Sequence, residues 1–357
     1  MEVSHLKIDD PRWREVIGRL PHDIYHLPEY VKIDGECNHA EPRAFLAREG
    51  DKELFIPYLV RRCDLLFPGA AAGANVLDVV SPYGYPGLLL SEPAKASPDF
   101  AQRAMQQLGA SLSEQGVCSA FFRMHPLLSA GFLELFPEDF FTASSETVAI
   151  DLTQHEEMIW KAIRDGHRWT IKKCKKLGFE ARMVPLSENI DAFMAVYNET
   201  MDRVGAKDSY YFGRDYFEKL AAMPDSVHCC MVELEGHTAA ACLFSEVGGI
   251  VQAHLGGTKS EYLGKSPFHL VLFHGMEWAK SRGNRYLHLG GGVGGSNDRL
   301  LHFKRGFSDL IFPFLTLRLV TNEEKYRELT ALSAQAANLP FEEVQQSEYF
   351  PAYRTPH

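Results

Sequence analysis

No apolar run in the sequence approaches the ~18 residues a membrane-spanning helix needs. The start has neither the basic nor the apolar region of a signal peptide, and a cytosolic, non-inserted protein is expected. Zinc-ligand spacing is missing: there is no Cys-x-x-Cys and no His-Glu-x-x-His, although histidine numbers 15. His269 and His274, five apart, do not share a helix face well, so no metal site is expected. Cysteine numbers only seven, an odd count. Cys118, Cys229, Cys230 and Cys242 lie in strand-like apolar runs and read as reduced, buried thiols. Positive charge is also short: 37 Lys and Arg against 47 Asp and Glu, a net charge of −10. That excludes a protein that coats nucleic acid over its whole surface, yet leaves room for a local basic groove. A phosphate-binding P-loop is excluded too. Gly264-Lys265-Ser266 has the ending, but Lys259 stands where the first glycine belongs.

What the chain does contain is a repeat. "SPDFAQRAMQQLGASLSEQG" (97–116) and "SPFHLVLFHGMEWAKSRG" (266–283) each open with Ser-Pro and close with Gly. Serine suits the N-cap, proline the first helical position and glycine the left-handed C-terminal cap, so two helices are expected. Each runs into an apolar strand, "VCSAFFR" or "RYLHL". Each is preceded by a hairpin, one around Gly50-Asp51-Lys52 and the other around Glu235-Gly236, and by one further strand, "NVLDVV" or "IVQAHL". Hairpin, strand, loop, helix, strand therefore occurs twice, predicting a mixed α/β chain of two tandem units. The expected division is 1–150 and 151–357, the latter opening with a helical connector.

That connector, "TQHEEMIWKAIRDGHRWTIKKCKKLG", predicts one helix from a Thr153-x-x-Glu156 capping box to Gly178. It concentrates Lys161, Arg164, His167, Arg168, Lys172, Lys173, Lys175 and Lys176, and a helix aligns Arg164, Arg168 and Lys172. Such a set fits phosphates of tRNA or of a nucleotide-linked acceptor, or a plain solvated helix face. Further on, "HLGGGVGGSNDRLLHFKRGF" (288–307) fits a dinucleotide fingerprint at Gly290, Gly292 and Gly295 by spacing. An NAD(P)-dependent oxidoreductase is thus one reading. That fingerprint belongs to a first strand–helix turn with several such units after it, and only about 60 residues follow here.

The order of elements in each half resembles the GNAT acyltransferase fold, where a strand–loop–helix element presents backbone N–H groups to cofactor pyrophosphate. Residues 256–271 hold that place. The loop reads "YLGKSPF" rather than the usual Gln/Arg-x-x-Gly-x-Gly/Ala, and Pro267 removes a donor. Two such units joined by helices resemble the Fem family of aminoacyl-tRNA-dependent transferases and FemAB-like proteins. Three segments carry the likeness: the small-residue turn leading to Phe303-Lys304-x-x-Phe307, the tryptophan-led basic helix, and "SPYGYPGLL" (81–89), similar to a Tyr-Gly-Gly-Pro turn with Tyr85 replacing a glycine. The resemblance implies transfer of an aminoacyl or acyl group to a primary amine, with aminoacyl-tRNA or an acyl-CoA as donor substrate and no tightly bound cofactor.

Acyl transfer needs a neutral amine, a positioned carbonyl and a stabiliser for the oxyanion. Under the resemblance Lys304 takes the last role. Tyr83 in its rigid turn and His254 at a strand end join it as candidate catalytic groups. His288 is an alternative base, and both histidines also fit a satisfied core. Asp298 suits either proton acceptance from the amine or an N-cap. Candidate donor- and substrate-binding residues are Tyr85, Arg168, Lys172, Gly264, Lys265, Ser266, Gly290, Gly291, Gly292, Asp298, Arg299, Phe303 and Arg305. Phe303 and Phe307, four apart, equally suit one face of a packed helix. A duplicated fold that only binds, without catalysis, is the non-enzymatic alternative.

Overall fold

The computed structural model describes residues 1–67, 75–292 and 296–356. In chain order its strands are β1 (Glu2–Lys7), β2 (Glu41–Glu49), β3 (Lys52–Arg62), β4 (Leu77–Val80), β5 (Leu89–Leu90), β6 (Val117–Arg123) and β7 (Thr142–Asp151). There follow β8 (Glu180–Val184), β9 (Val227–Leu234), β10 (His237–Val247), β11 (Ile250–Thr258), β12 (Tyr286–Gly290) and β13 (Leu310–Val320). The chain divides into one compact unit of Met1–Ser144 with Phe314–His357, and a second of Ser145–Pro313.

Both units carry the same ladder. In the first, β1, β2, β3 and β4 pair antiparallel in sequence, β4 pairs parallel with β6, and β6 pairs antiparallel with β13. In the second, β8 to β11 are antiparallel, β11 is parallel to β12, and β12 is antiparallel to β7. A parallel pair needs a crossover, which the helices Pro98–Glu114 and Phe268–Ser281 supply. The last strand of each ladder is exchanged. β7 follows β6 in the chain but pairs with β12, whereas β13 follows β12 but pairs with β6. A cut at residue 150 therefore differs from this division in two respects: residues 145–150 belong with the second unit and residues 314–357 with the first.

Local chemistry explains most of these elements. Glu235 and Gly236 both take positive φ, 53° and 78°, as a two-residue hairpin turn demands, and Leu234 faces His237 across it. Gly116 and Gly283 follow their helices at φ 78° and 80°, the left-handed stop in which glycine meets no Cβ penalty. The helix Pro98–Glu114 buries Phe100, Ala104, Leu108 and Leu112 completely against the first core; each large side chain contributes about 1.5–3 kcal/mol. The second core gathers Phe244, Val271, Leu287, Leu301 and Phe307.

Two expectations fail locally. Ser266 does not cap the second crossover helix: it adopts φ 55° at the end of a 3-10 turn, Ser260–Lys265, and the helix begins at Phe268. Pro267, already helical at φ −65° and ψ −17°, takes the N-cap position without a side-chain acceptor to offer. The connector is likewise two helices, Glu156–Ala162 and Asp165–Lys176. Ile163 is extended and buried, and the Arg164 N–H leaves the helix to bond the Gly306 carbonyl at 2.9 Å. His155, not Thr153, caps the first of the pair. Thr153 instead bonds back to Asp151, so the expected capping box and the alignment of Arg164 with Arg168 and Lys172 are both absent.

Candidate active site

β12 ends in Gly290 at φ 76°, after a break in its register with β7. The next two residues need bare backbone as well. A Cβ on Gly291 would lie 2.8 Å from the Glu146 carbonyl oxygen, and one on Gly292 would lie 2.0 Å from the Ser296 carbonyl and 2.6 Å from the Asp298 carboxylate. These glycines thus permit close approach of chain to chain. Gly295 lies outside the described residues. Asp298 then accepts the Leu301 N–H at 2.9 Å and starts the helix Arg299–Lys304, which settles its role as an N-cap. The strand that follows is β13, antiparallel to its partner, so the parallel strand–helix–strand unit of a dinucleotide fingerprint is not formed.

Lys304 closes this small helix. Its Nζ donates to the Gly291 carbonyl at 2.6 Å. Burial pushes its ammonium down to about 8, against the pull of the Asp298 carboxylate toward the charged form. A lysine that keeps its proton at neutral pH but holds it weakly can stabilise an oxyanion without being locked in an ion pair.

A packed aromatic wall stands beside this helix. The His167 and His269 rings meet edge-on at 4.4 Å, and both contact Phe303, at 5.3 and 4.8 Å, and Phe307, at 4.9 and 6.0 Å. His167 Nε2 donates to the Phe303 carbonyl at 2.9 Å, and His269 Nδ1 to the Ser266 carbonyl at 3.1 Å. Burial, with His167 adding repulsion, pushes His269 down to about 4; burial also lowers His167. Both rings are therefore neutral at pH 7. Phe307 is fully buried and Phe303 half-buried, which makes them packing residues around Lys304.

The remaining expected residues scatter. His254 in β11 shares a 3.1 Å hydrogen bond with the Tyr216 hydroxyl, and His288 is fully buried with Nδ1 2.6 Å from Gln252 Oε1. Lys265 lies over the rings of Tyr262 and Phe179, while its carbonyl accepts the Cys174 thiol at 3.3 Å. Gly264 and Ser266 belong to the same turn, and the Ser266 hydroxyl bonds back to Leu263. Arg305 pairs with Glu146 and Arg299 is exposed. Arg168 donates to the Trp160 and Lys161 carbonyls at the end of the preceding helix, a capping contact. Lys172 lies over Trp160 at 5.6 Å.

Tyr83 and Tyr85 belong to the first unit. The Tyr83 N–H bonds the buried Asp34 carboxylate at 2.9 Å, and its carbonyl accepts the Tyr30 hydroxyl at 3.2 Å. The Tyr85 ring packs on Tyr25 and Phe314.

Three features were missed in the sequence. The Gly291 carbonyl that receives the Lys304 ammonium lies 13 residues before it, beyond any helical spacing. The His167–His269 pair joins two helix starts about 100 residues apart, a contact no local pattern signals. Trp169 is 63% exposed on the basic helix, with Lys173 5.0 Å over its ring; an aromatic interleaved with lysines was the available signal. Among the described residues no group of three or more His, Cys, Asp and Glu is arranged to hold a metal. No helix among them is long and apolar enough to cross a membrane.

Residues 161–305 match the family described as Acetyltransferase (GNAT) domain. No curated protein matches the sequence. Among solved structures, FemX aligns with a TM-score of 0.69 at 10% identity, covering 92% of this chain and 99% of that one. L-PGS from Bacillus licheniformis aligns with a TM-score of 0.54 at 14% identity, covering 89% and 94%. At these identities the likeness is one of fold.

Proposed function

We propose that the chain is a Fem/GNAT-like N-acyltransferase that moves an aminoacyl group from aminoacyl-tRNA to a primary amine, forming an amide, a reading supported by its GNAT-matching segment and its FemX-like fold. The observation that carries the reading is Lys304. It is held at the end of the glycine turn by a carbonyl and has a depressed, still mostly protonated ammonium at neutral pH. The neutral amine attacks the ester carbonyl of the donor, the carbonyl electrons move to oxygen, and the Lys304 ammonium stabilises that oxyanion. Collapse expels the ribose hydroxyl, which takes up a proton as the attacking nitrogen loses one.

The choice of donor rests on two features. The N-terminus of the helix Phe268–Ser281 is where a GNAT cofactor pyrophosphate would be expected. Here Pro267 lacks an N–H, the His269 N–H bonds Ser266, and the His269 ring packs into the aromatic wall. Meanwhile the helix Asp165–Lys176 exposes Trp169 among Lys172, Lys175 and Lys176, a surface suited to stacking a base and engaging phosphates.

The test follows labelled acyl transfer from charged tRNA and from acetyl-CoA to a panel of amines. Transfer from charged tRNA alone is expected. Transfer from acetyl-CoA alone would overturn the donor assignment, and transfer from neither would overturn the enzymatic reading.

A further inference from the structure

The start of the helix Asp165–Lys176 grips the segment that carries Lys304. His167 Nε2 lies 2.9 Å from the Phe303 carbonyl oxygen, which already accepts the Gly306 N–H at 3.0 Å. That carbonyl and the Lys304 nitrogen share one peptide plane, so the His167 bond fixes the orientation in which the Lys304 Cα leaves the helix. The last carbonyls of a helix keep acceptor capacity to spare, and this one takes the His167 donor as its second partner. The grip continues on both sides. The Arg164 N–H bonds the Gly306 carbonyl at 2.9 Å, and an Arg164 Nη1–His302 Nε2 contact closes at 2.9 Å. The fit under the imidazole is tight: a Cβ on Gly306 would lie 2.2 Å from His167 Nε2.

We propose that His167 is a positioning residue for Lys304, setting the Phe303–Lys304 peptide through its Nε2–H bond so that the lysine reaches the Gly291 carbonyl. This rests on the reading of Lys304 as the cation of acyl transfer. A side chain with four rotatable bonds delivers its charge to a fixed point only if its Cα is held, and an error of about 1 Å costs up to ~10²-fold in rate.

Three variants separate this from plain packing. His167→Leu keeps volume and removes the donor. His167→Gln restores a side-chain N–H near the Nε2 position. His167→Asn, whose amide reaches only as far as Nδ1, replaces His167→Leu should that variant not fold. One measurement is competitive labelling of lysine amines with acetic anhydride across pH, read by mass spectrometry at Lys304, which does not depend on turnover. The other is kcat and KM for the amine with labelled charged tRNA.

In the unaltered protein the labelling is expected to show the Lys304 ammonium pushed down to about 8 by burial. In His167→Leu its titration moves toward the ordinary lysine value of about 10.4, and kcat falls roughly 10- to 100-fold with KM unchanged. In His167→Gln both return. The proposal is overturned if His167→Leu leaves the Lys304 titration in place, or if His167→Gln falls with it. If Lys304→Ala transfers at the rate of the unaltered protein, the reading of Lys304 fails instead, and the labelling arm still judges the His167 contact by itself.

Discussion

The two units bury charge in opposite ways. In the first, Asp78 has no exposure and is met by Arg61 at 2.8 Å, by Arg354 at 2.5 Å and by the Tyr353 hydroxyl at 3.0 Å. Burial pushes its carboxyl up, and the two guanidiniums more than reverse this, so it stays below the ordinary carboxylate range. Asp23 and His125, both fully buried, are equally settled. The backbone N–H groups of Leu127 and Leu128 hold the imidazole Nδ1 as an acceptor, so Nε2–H donates to Asp23 at 3.0 Å. In the second unit Lys304 is held by a neutral carbonyl, and its proton is loosened by burial. The same ladder of strands has thus been used once as a closed scaffold and once to keep a charge available. A charge that is fully compensated contributes to stability; a charge held by dipoles remains able to answer one that develops during reaction.

Asp78→Ala probes the closed side and is expected to have the largest effect. It leaves two guanidiniums facing an empty site and should cost about 3–5 kcal/mol, read by denaturant unfolding. A cost near zero would mean that Arg61 and Arg354 do not depend on it. Lys304→Ala should reverse the pattern, lowering transfer by about 10²- to 10³-fold while the thermal midpoint stays within a few degrees. A matching loss of stability would make Lys304 one more structural charge and erase the contrast.

The pH profile sharpens it further. As the proposed cation of acyl transfer Lys304 has to be protonated, and burial pushes it down to about 8, so on that proposal kcat should fall as pH rises through about 8. Below that limb the rate should rise with pH as the acceptor amine loses its proton. In Lys304→Arg the falling limb should move out of reach, because guanidinium does not titrate there. The smallest effect is expected for Trp169→Ala: roughly fivefold or more weaker binding of charged tRNA, about 1 kcal/mol, with folding unchanged.

The repeated halves were legible because their punctuation is local. Gly236 after Glu235, and glycines at 116 and 283, mark their turns through backbone sterics alone. The break at Arg164 was not, since a basic amphipathic pattern continues across it and only the distant Gly306 carbonyl draws the N–H away. Ser266 misled for a related reason: Ser-Pro is a good helix start, but Pro267 took the cap position and Ser266 went left-handed. At the site, the segment 298–304 was readable from Asp298 and the lysine within it. The groups that meet this segment, the Gly291 carbonyl at Lys304 and His167 at the Phe303 carbonyl, arrive by tertiary packing, which no spacing encodes.

The exchange of β7 and β13 bears on how the chain can be made. During synthesis β1 to β6 emerge early, but the antiparallel neighbour of β6 emerges only after all of β7 to β12. Until then β6 presents an unpaired edge, the kind of row of N–H and C=O groups that recruits foreign strands. The second unit, Ser145–Pro313, contains the paired part of β7 and all of β8 to β12, and can complete its ladder first. The half that looks like the rigid platform is therefore the slower to be finished, and a chain halted after Pro313 should yield a folded second unit attached to an aggregation-prone first.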